Sequence, residues 1–126
     1  MSSDPRFIHL RTHTEYSLLE GAVRLKKLPG ICADMDMPAV AVTDTNSLFG
    51  ALEFSVAASG AGIQPIIGCQ VDVAMPDPDQ SGRNQAPAPA AVVLLAQTEA
   101  GYEHLMKLSS CLYVDKGGQL PQVTLE

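Results

Sequence analysis

Short apolar segments bounded by turn-forming residues recur along this chain and predict β-strands. The first runs from Phe7 to Leu10 and on to about Thr12. The continuous apolar run Ala39–Thr43 predicts a strand that is covered on both faces. Pro65–Val73 predicts a third strand, with proline tolerated at its first residue, and Ala91–Ala96 predicts a fourth. We therefore expect about four strands.

A first helix is predicted between the first two strands, over Leu28–Met35. Proline is tolerated only in the first turn of a helix, so Pro29 places the start near Lys27. Pro38 ends this element before the next strand.

A second helix is predicted over Leu48–Ser59. Phe49, Leu52 and Val56 recur at i, i+3 and i+7 and predict its buried face. Ser47 precedes the apolar pattern and is expected to be its N-cap.

A third helix is predicted after the fourth strand, with Thr98 as its N-cap. Its predicted buried stripe is Tyr102, Leu105, Met106 and Leu112. Residues 115–126 contain two glycines and a proline and predict an extended tail.

The order of these elements predicts an α/β fold with at least three parallel strands. The fourth strand can instead form a hairpin with the third, because their connector predicts no helix. That connector, residues 74–90, is rich in proline, and we expect a flexible surface loop there. A complete α/β barrel takes about 250 residues. We therefore expect 126 residues to be part of a domain, with an unpaired sheet edge that favours a dimer in a crystal.

Charge and cysteine usage narrow the classes of function. Fourteen acidic residues against eight basic ones give a net charge of -6, which disfavours direct nucleic-acid binding. The cysteines, Cys32, Cys69 and Cys111, are far apart and odd in number, and we expect buried, reduced thiols. The chain shows neither a signal-peptide pattern nor an apolar run of membrane-spanning length, so we expect a cytoplasmic protein.

Polar side chains follow three of the predicted strands, where α/β folds place functional residues. They are Arg11, His13 and Glu20 for the first strand, Thr43, Asp44, Thr45 and Asn46 for the second, and Gln70 and Asp72 for the third. A histidine, carboxylates and an arginine on one rim suit an acid–base site or part of a metal site. Spacing alone leaves open a structural histidine, a turn-capping aspartate and an ion-paired arginine.

Four blocks of these residues resemble a known family in order and spacing. They are residues 7–21 (FIHLRTHTEYSLLEG), residues 37–50 with MPAVAVTD followed by Asn46, Leu48, Phe49 and Gly50, residues 61–69 (AGIQPIIGC), and Gly101-Tyr102 with residues 105–109. Together they resemble the N-terminal PHP (polymerase and histidinol phosphatase) domain of the bacterial DNA polymerase III alpha subunit. The resemblance implies part of a distorted (β/α) barrel with metals at the strand ends.

The resemblance also implies what should occupy the metal site. Active members end the first strand with His-x-His, where this chain has Arg11 and His13; the acid of the following loop corresponds to Glu20. The second strand ends in Asp-His, here Asp44 and Thr45, and the third offers a glutamate, here Gln70. Three ligand positions are thus replaced. These positions imply a vestigial metal site without catalytic residues, in which Arg11 is expected to pair with Asp44, Glu20 or both.

For function, the resemblance implies a non-catalytic segment of a DNA-directed DNA polymerase. In the branch of the family with such replaced sites, a separate proofreading exonuclease subunit docks on this domain, among other replicase subunits. Mg²⁺ is expected only for the polymerase part of the longer protein, and no cofactor for this segment. Alternatives that stay open are an active PHP-type phosphoesterase or pyrophosphatase, a stand-alone PHP phosphatase and the error-prone relative of the alpha subunit.

Overall fold

The computed structural model describes residues 6–75, 87–114 and 121–124. Their regular elements are, in chain order, α1 (Leu28–Asp34), β1 (Ala39–Val42), α2 (Ala51–Gly60), β2 (Gln64–Val73), β3 (Ala90–Leu95) and α3 (Glu99–Tyr113). The predicted α/β class is confirmed. Within these ranges no helix is both long and apolar enough to cross a membrane.

The sheet has the strand order β1-β2-β3. β1 and β2 run parallel, with Val42 opposite Ile67, and α2 forms the crossover between them. β2 and β3 run antiparallel, with Gly68 opposite Leu95, so the hairpin alternative for the last strand is the correct one. The far edge of β3 has no strand partner among the described residues. Dimerisation through that edge stays a prediction.

The predicted first strand is not a regular strand. The Ala41 N–H donates to the His9 carbonyl at 2.8 Å, and the Thr43 N–H donates to the Thr12 carbonyl at 2.9 Å. These acceptors are three residues apart and their donors two, so the first segment carries one extra residue, as in a β-bulge. The bulge interrupts the ladder and leaves a single bridge between His9 and Val40. The expected four strands are therefore three in the described residues.

The first helix and the following strand agree with the sequence patterns. α1 begins at Leu28 with Pro29 in its first turn and ends one residue before the predicted Met35. All four residues of β1 are buried, as the continuous apolar run indicates.

The predicted buried face of α2 is wrong. Phe49, Leu52 and Val56 are 72%, 76% and 66% exposed. The face that packs on β2 is Ala51, Phe54 and Ala58, which has the same i, i+3, i+7 spacing. Small alanines bring the helix backbone close to the sheet, and the single large side chain, Phe54, fills the space between them. The i, i+3, i+7 spacing of apolar residues therefore describes two sides of this segment, and spacing alone does not show which side is buried.

The start of α2 also differs from the prediction. The helix begins at Ala51, and Gly50 rather than Ser47 is its N-cap. A Cβ at Gly50 would lie 2.6 Å from Leu25 Cδ1, so this position accepts only glycine without rearrangement. The Ser47 hydroxyl oxygen instead accepts the Phe49 N–H in a turn at 3.1 Å.

α3 has the predicted cap, since the Thr98 hydroxyl oxygen accepts the Gly101 N–H at 3.1 Å. Of its predicted stripe, Leu105 and Leu112 are buried and Tyr102 is half-buried, whereas Met106 is 42% exposed. Leu112 packs with Cys69, Val71 and Val73 of β2 in one of the core clusters.

The end of the chain also joins this cluster. Val123 is buried, donates its N–H to the Asp72 carbonyl at 2.8 Å and accepts the Ala74 N–H at 2.7 Å. This part of the predicted extended tail therefore continues the sheet beside β2. Of the predicted flexible loop at 74–90, residues 76–86 lie outside the described ranges, and Ala90 already belongs to β3.

The three cysteines differ in environment. Cys32 and Cys69 are buried and free, as predicted, whereas Cys111 is exposed, so burial was the wrong prediction for it. Burial raises the pKa of the Cys32 and Cys69 thiols, which lowers their thiolate fraction at any given pH.

We expect iodoacetamide at pH 8 to label Cys111 first and the other two cysteines only in denaturant. Mass spectrometry of the labelled peptides checks this, and rapid native labelling of Cys69 would contradict it.

Candidate functional site

The predicted rim residues meet at the C-terminal ends of the first segment and of β1 and β2. Backbone pairing continues past the end of β1, where the Gln70 N–H donates to the Asp44 carbonyl at 3.0 Å and Thr45 lies opposite Gln70. The first segment is tied to the same place, since the Thr12 N–H donates to the Thr43 hydroxyl oxygen at 3.1 Å. Arg11, His13, Glu20, Asp44, Thr45 and Gln70 therefore lie on one rim.

Gln70 is the link between the two basic side chains of the rim. Gln70 is only 6% exposed, and its Oε1 accepts from Arg11 Nε at 2.9 Å. His13 Nε2 lies 3.0 Å from the same oxygen. Because that oxygen is an acceptor, Nε2 carries a proton in this contact. A histidine nitrogen that donates a hydrogen bond has no free lone pair for a metal.

The predicted ion pair of Arg11 is not the observed contact. Within the described ranges its guanidinium contacts Gln70 and forms no ion pair with Asp44 or Glu20. The reason lies in the geometry of the rim: Asp44 is occupied by other donors, and Glu20 faces Thr45 and His13. The amide of Gln70 satisfies the arginine without a countercharge.

Asp44 is the most buried acid of the rim, at 2% exposure. Its Oδ1 accepts the Thr14 N–H and the Ser17 hydroxyl, both at 2.6 Å, and its Oδ2 accepts the Thr14 hydroxyl at 2.8 Å. Ser17 Oγ in turn accepts the Thr45 N–H at 3.0 Å. Charge-assisted hydrogen bonds of this kind hold the loop after the first segment against the end of β1. Asp44 therefore has a structural role: it holds the loop to the end of β1.

Glu20 lies at the solvent side of the rim. Its carboxylate accepts the Thr45 hydroxyl, and its Oε2 lies 3.7 Å from His13 Nδ1. Half of the Glu20 side chain is exposed, so this contact with His13 is screened by water.

Thr14 and Ser17 are site residues that the sequence patterns did not single out. Both are polar and almost fully buried, and the hydroxyl group of each donates a hydrogen bond to Asp44. A hydroxyl residue shortly after a strand was the available signal, but such residues are common in loops. Of the other rim candidates, Asn46 accepts the Asp72 N–H at 3.1 Å and donates to the Asp72 carboxylate at 3.2 Å, away from the Gln70 cluster.

Gly21 closes the loop that supplies these hydroxyls. A Cβ at this position would lie 2.0 Å from the backbone oxygen of Thr14, which cannot move without disturbing the contacts to Asp44. We expect Gly21→Ala to lower the free energy of unfolding by about 2–3 kcal/mol. The control is Gly30→Ala within α1, where nothing lies within 4 Å, and it should stabilise by about 0.4–1 kcal/mol. Urea denaturation compares the two; equal effects would contradict the close approach.

The donors at the rim do not fit a divalent metal. In residues 6–75, 87–114 and 121–124, no three His, Cys, Asp or Glu side chains converge in a way that could hold an ion. Asp44 directs both oxygens to protein hydrogen bonds, His13 Nε2 faces Gln70, and Arg11 adds a permanent positive charge. Zinc sites need several free His, Cys or carboxylate donors at about 2 Å.

Parallel strands joined by a helix, with polar side chains gathered at their carboxyl ends, define an incomplete α/β barrel-type domain. The family model of the PHP domain matches residues 9–126, and the chain belongs to this family. The predicted partial PHP-type fold is thus confirmed.

Two curated relatives contain a segment that is similar to this chain. The chain is 45% identical to a DNA polymerase III subunit alpha from Caulobacter vibrioides over 92% of its length, and 42% identical to one from Pseudomonas fluorescens over 86%. It spans only 10% and 9% of these relatives, and is homologous to their N-terminal region.

A solved structure shares the fold. An amidohydrolase from Chromobacterium violaceum, determined with bound sulfate and without metal, superimposes with a TM-score of 0.56 at 24% identity. The match covers 83% of this chain and 34% of that protein. At this identity the likeness shows the fold alone.

Proposed function

We propose that this chain is the N-terminal PHP segment of a DNA polymerase III alpha subunit, and that its vestigial metal site serves as a non-catalytic scaffold for the proofreading exonuclease subunit. The observation that carries the proposal is the contact of Arg11 and His13 with the Gln70 oxygen. It joins three positions where the family has metal ligands, Arg11, His13 and Gln70, through hydrogen bonds between protein side chains.

The replaced side chains explain why hydrolysis is not expected here. A PHP phosphoesterase needs metal ions to activate water and to stabilise charge on the phosphate. Thr45 and Gln70 offer neutral oxygens, which are poor zinc ligands, and Arg11 repels a dication. The hydrogen bonds of Asp44 instead stabilise the loops of the rim. A rigid rim of this kind suits a docking surface.

The supporting comparisons concern the longer protein. The relatives are alpha subunits, so we propose that the parent is a nucleotidyltransferase of chromosomal replication that acts in the cytoplasm. Its Mg²⁺ and its DNA contacts would belong to other parts of the parent, because this segment is acidic, at -6. The exonuclease partner rests on the family resemblance. An error-prone alpha-subunit relative carries the same blocks and is the remaining alternative for the parent.

A deletion tests the scaffold role. The full-length alpha subunit should bind the exonuclease subunit in size-exclusion chromatography and in calorimetry, and the same subunit without residues 1–126 should lose that binding. Polymerase activity on a primed template is the control for folding of the remainder. Equal affinity with and without this segment would contradict the scaffold role.

A further inference from the structure

An exposed apolar groove lies beside the rim. Its apolar side chains are Leu18, Phe49 and Tyr113, which are 82%, 72% and 49% exposed, and Leu19, fully exposed, adjoins them in the chain between Leu18 and Glu20. Leu18, Phe49 and Tyr113 line a cavity of about 230 Å³, together with Glu20. We call these five residues the rim groove. Contiguous exposed apolar side chains around a concavity are typical of a surface that binds another protein.

The backbone holds Leu19 in an unfavourable conformation. Its φ of 66° lies in the left-handed region, which L-residues other than Gly, Asn and Asp rarely adopt. The turn is fixed from both sides, since the N–H groups of Glu20 and Gly21 donate to the Ser17 carbonyl at 2.8 and 3.1 Å. The leucine side chain is fully exposed and gains nothing from the described part of the chain. Such strain is expected where an external contact uses the side chain.

The charge of the groove defines what can bind there. Of the described residues that line the cavity, Glu20 alone carries a charge. Half of the Glu20 side chain is exposed, and its carboxylate accepts the Thr45 hydroxyl. A cationic side chain can place its aliphatic stem on Phe49 and Leu18 and its charged end at Glu20.

We propose that the rim groove binds a segment of the exonuclease subunit in which an arginine or lysine stands beside an apolar residue. The cation would meet Glu20, and the apolar residue would cover Leu19. This inference rests on the proposed scaffold function and names the surface that performs it.

A second copy of this chain is a poorer occupant. In a two-fold symmetric contact the same patch meets itself, which would place Glu20 of one copy close to Glu20 of the other. The overall charge of -6 adds to that repulsion.

Substitutions in the full-length alpha subunit test the groove. Leu19→Asn keeps a residue that tolerates the left-handed region, so the fold should be retained while the affinity for the exonuclease subunit falls about tenfold. Glu20→Gln keeps a hydrogen-bond acceptor for Thr45 and removes the charge. It should weaken binding roughly three- to fivefold at low salt, with the difference lost at high salt. Val56→Asn is the control, because Val56 is an exposed apolar residue of α2, at 66%, that does not line this cavity.

The outcomes separate this inference from the scaffold role. If the wild-type subunit binds the exonuclease and both groove variants bind within twofold of it, the groove is not the docking surface and the scaffold role stands. If the wild-type subunit does not bind, both proposals are wrong. Thermal stability of Leu19→Asn and of Leu19→Gly at or above that of the wild type, as relief of the left-handed strain predicts, shows that lost affinity is not lost folding. Light scattering that reveals dimers dissociated by Leu19→Asn would overturn the choice of partner.

Discussion

Replacing Asp44 with alanine is expected to lower the free energy of unfolding by about 3–4 kcal/mol. The carboxylate is buried and accepts three hydrogen bonds, two from Thr14 and one from Ser17. The hydroxyl groups of these residues can rotate towards other acceptors, but the Thr14 N–H is fixed and would remain buried without a partner. Urea denaturation of the variant and the wild type measures the difference.

Two further variants sharpen this test. Asp44→Asn keeps one oxygen for the Thr14 N–H and should cost only about 1–2 kcal/mol. Asp34→Ala removes an exposed acid from the last turn of α1 and should change stability by less than about 0.5 kcal/mol. If Asp44→Ala were as mild as Asp34→Ala, the structural role assigned to Asp44 would be wrong.

Restoring the three replaced ligands is expected to create a metal site. The triple variant Arg11→His, Thr45→His and Gln70→Glu, made in the full-length subunit, removes the guanidinium and adds two imidazoles and a carboxylate. We expect it to bind Zn²⁺ with a Kd of about 1 µM or tighter, which corresponds to roughly 8 kcal/mol. Because metal binds only the folded state, its Tm should rise with zinc and fall with a chelator. Isothermal calorimetry and thermal denaturation measure these effects.

The single variant Arg11→His is the matched control. It removes the positive charge but leaves Thr45 and Gln70 without suitable donor atoms, so its Tm should stay independent of zinc. A single variant that binds zinc as tightly as the triple one would show that Arg11 alone blocks an otherwise complete site. No binding by the triple variant would contradict the correspondence of these positions with the family's ligands.

The sequence predicted the positions of elements well where one physical requirement dominates. The uninterrupted apolar run before Asp44 requires burial on both faces, and β1 has it. Prediction from the sequence failed where two different packing arrangements satisfy the same apolar pattern. The apolar stripes that begin at Phe49, just before α2, and at Ala51 have equal spacing, and only the packing of Phe54 in the core selects the second one. The extra residue in the first segment depends on its register against β1, which no local pattern reveals.

The site was predictable as a set of positions but not as a set of contacts. Strand order brings Arg11, Asp44 and Gln70 to one rim, and this follows from the sequence. Which acceptor Arg11 takes depends on competition, and Thr14 and Ser17 occupy Asp44 before the arginine can. Charge alone favours a carboxylate as the partner of Arg11, but the neutral hydroxyl groups of Thr14 and Ser17 already occupy Asp44.

Zinc content of the full-length alpha subunit is the most direct test of the vestigial site. After saturation with zinc and removal of free metal, mass spectrometry of the wild type and of His13→Ala would be compared. A vestigial site predicts that the two proteins differ by less than about 0.1 zinc per molecule. A stoichiometric zinc ion that is present in the wild type and lost in His13→Ala would contradict it, and the rim would then be a working metal centre.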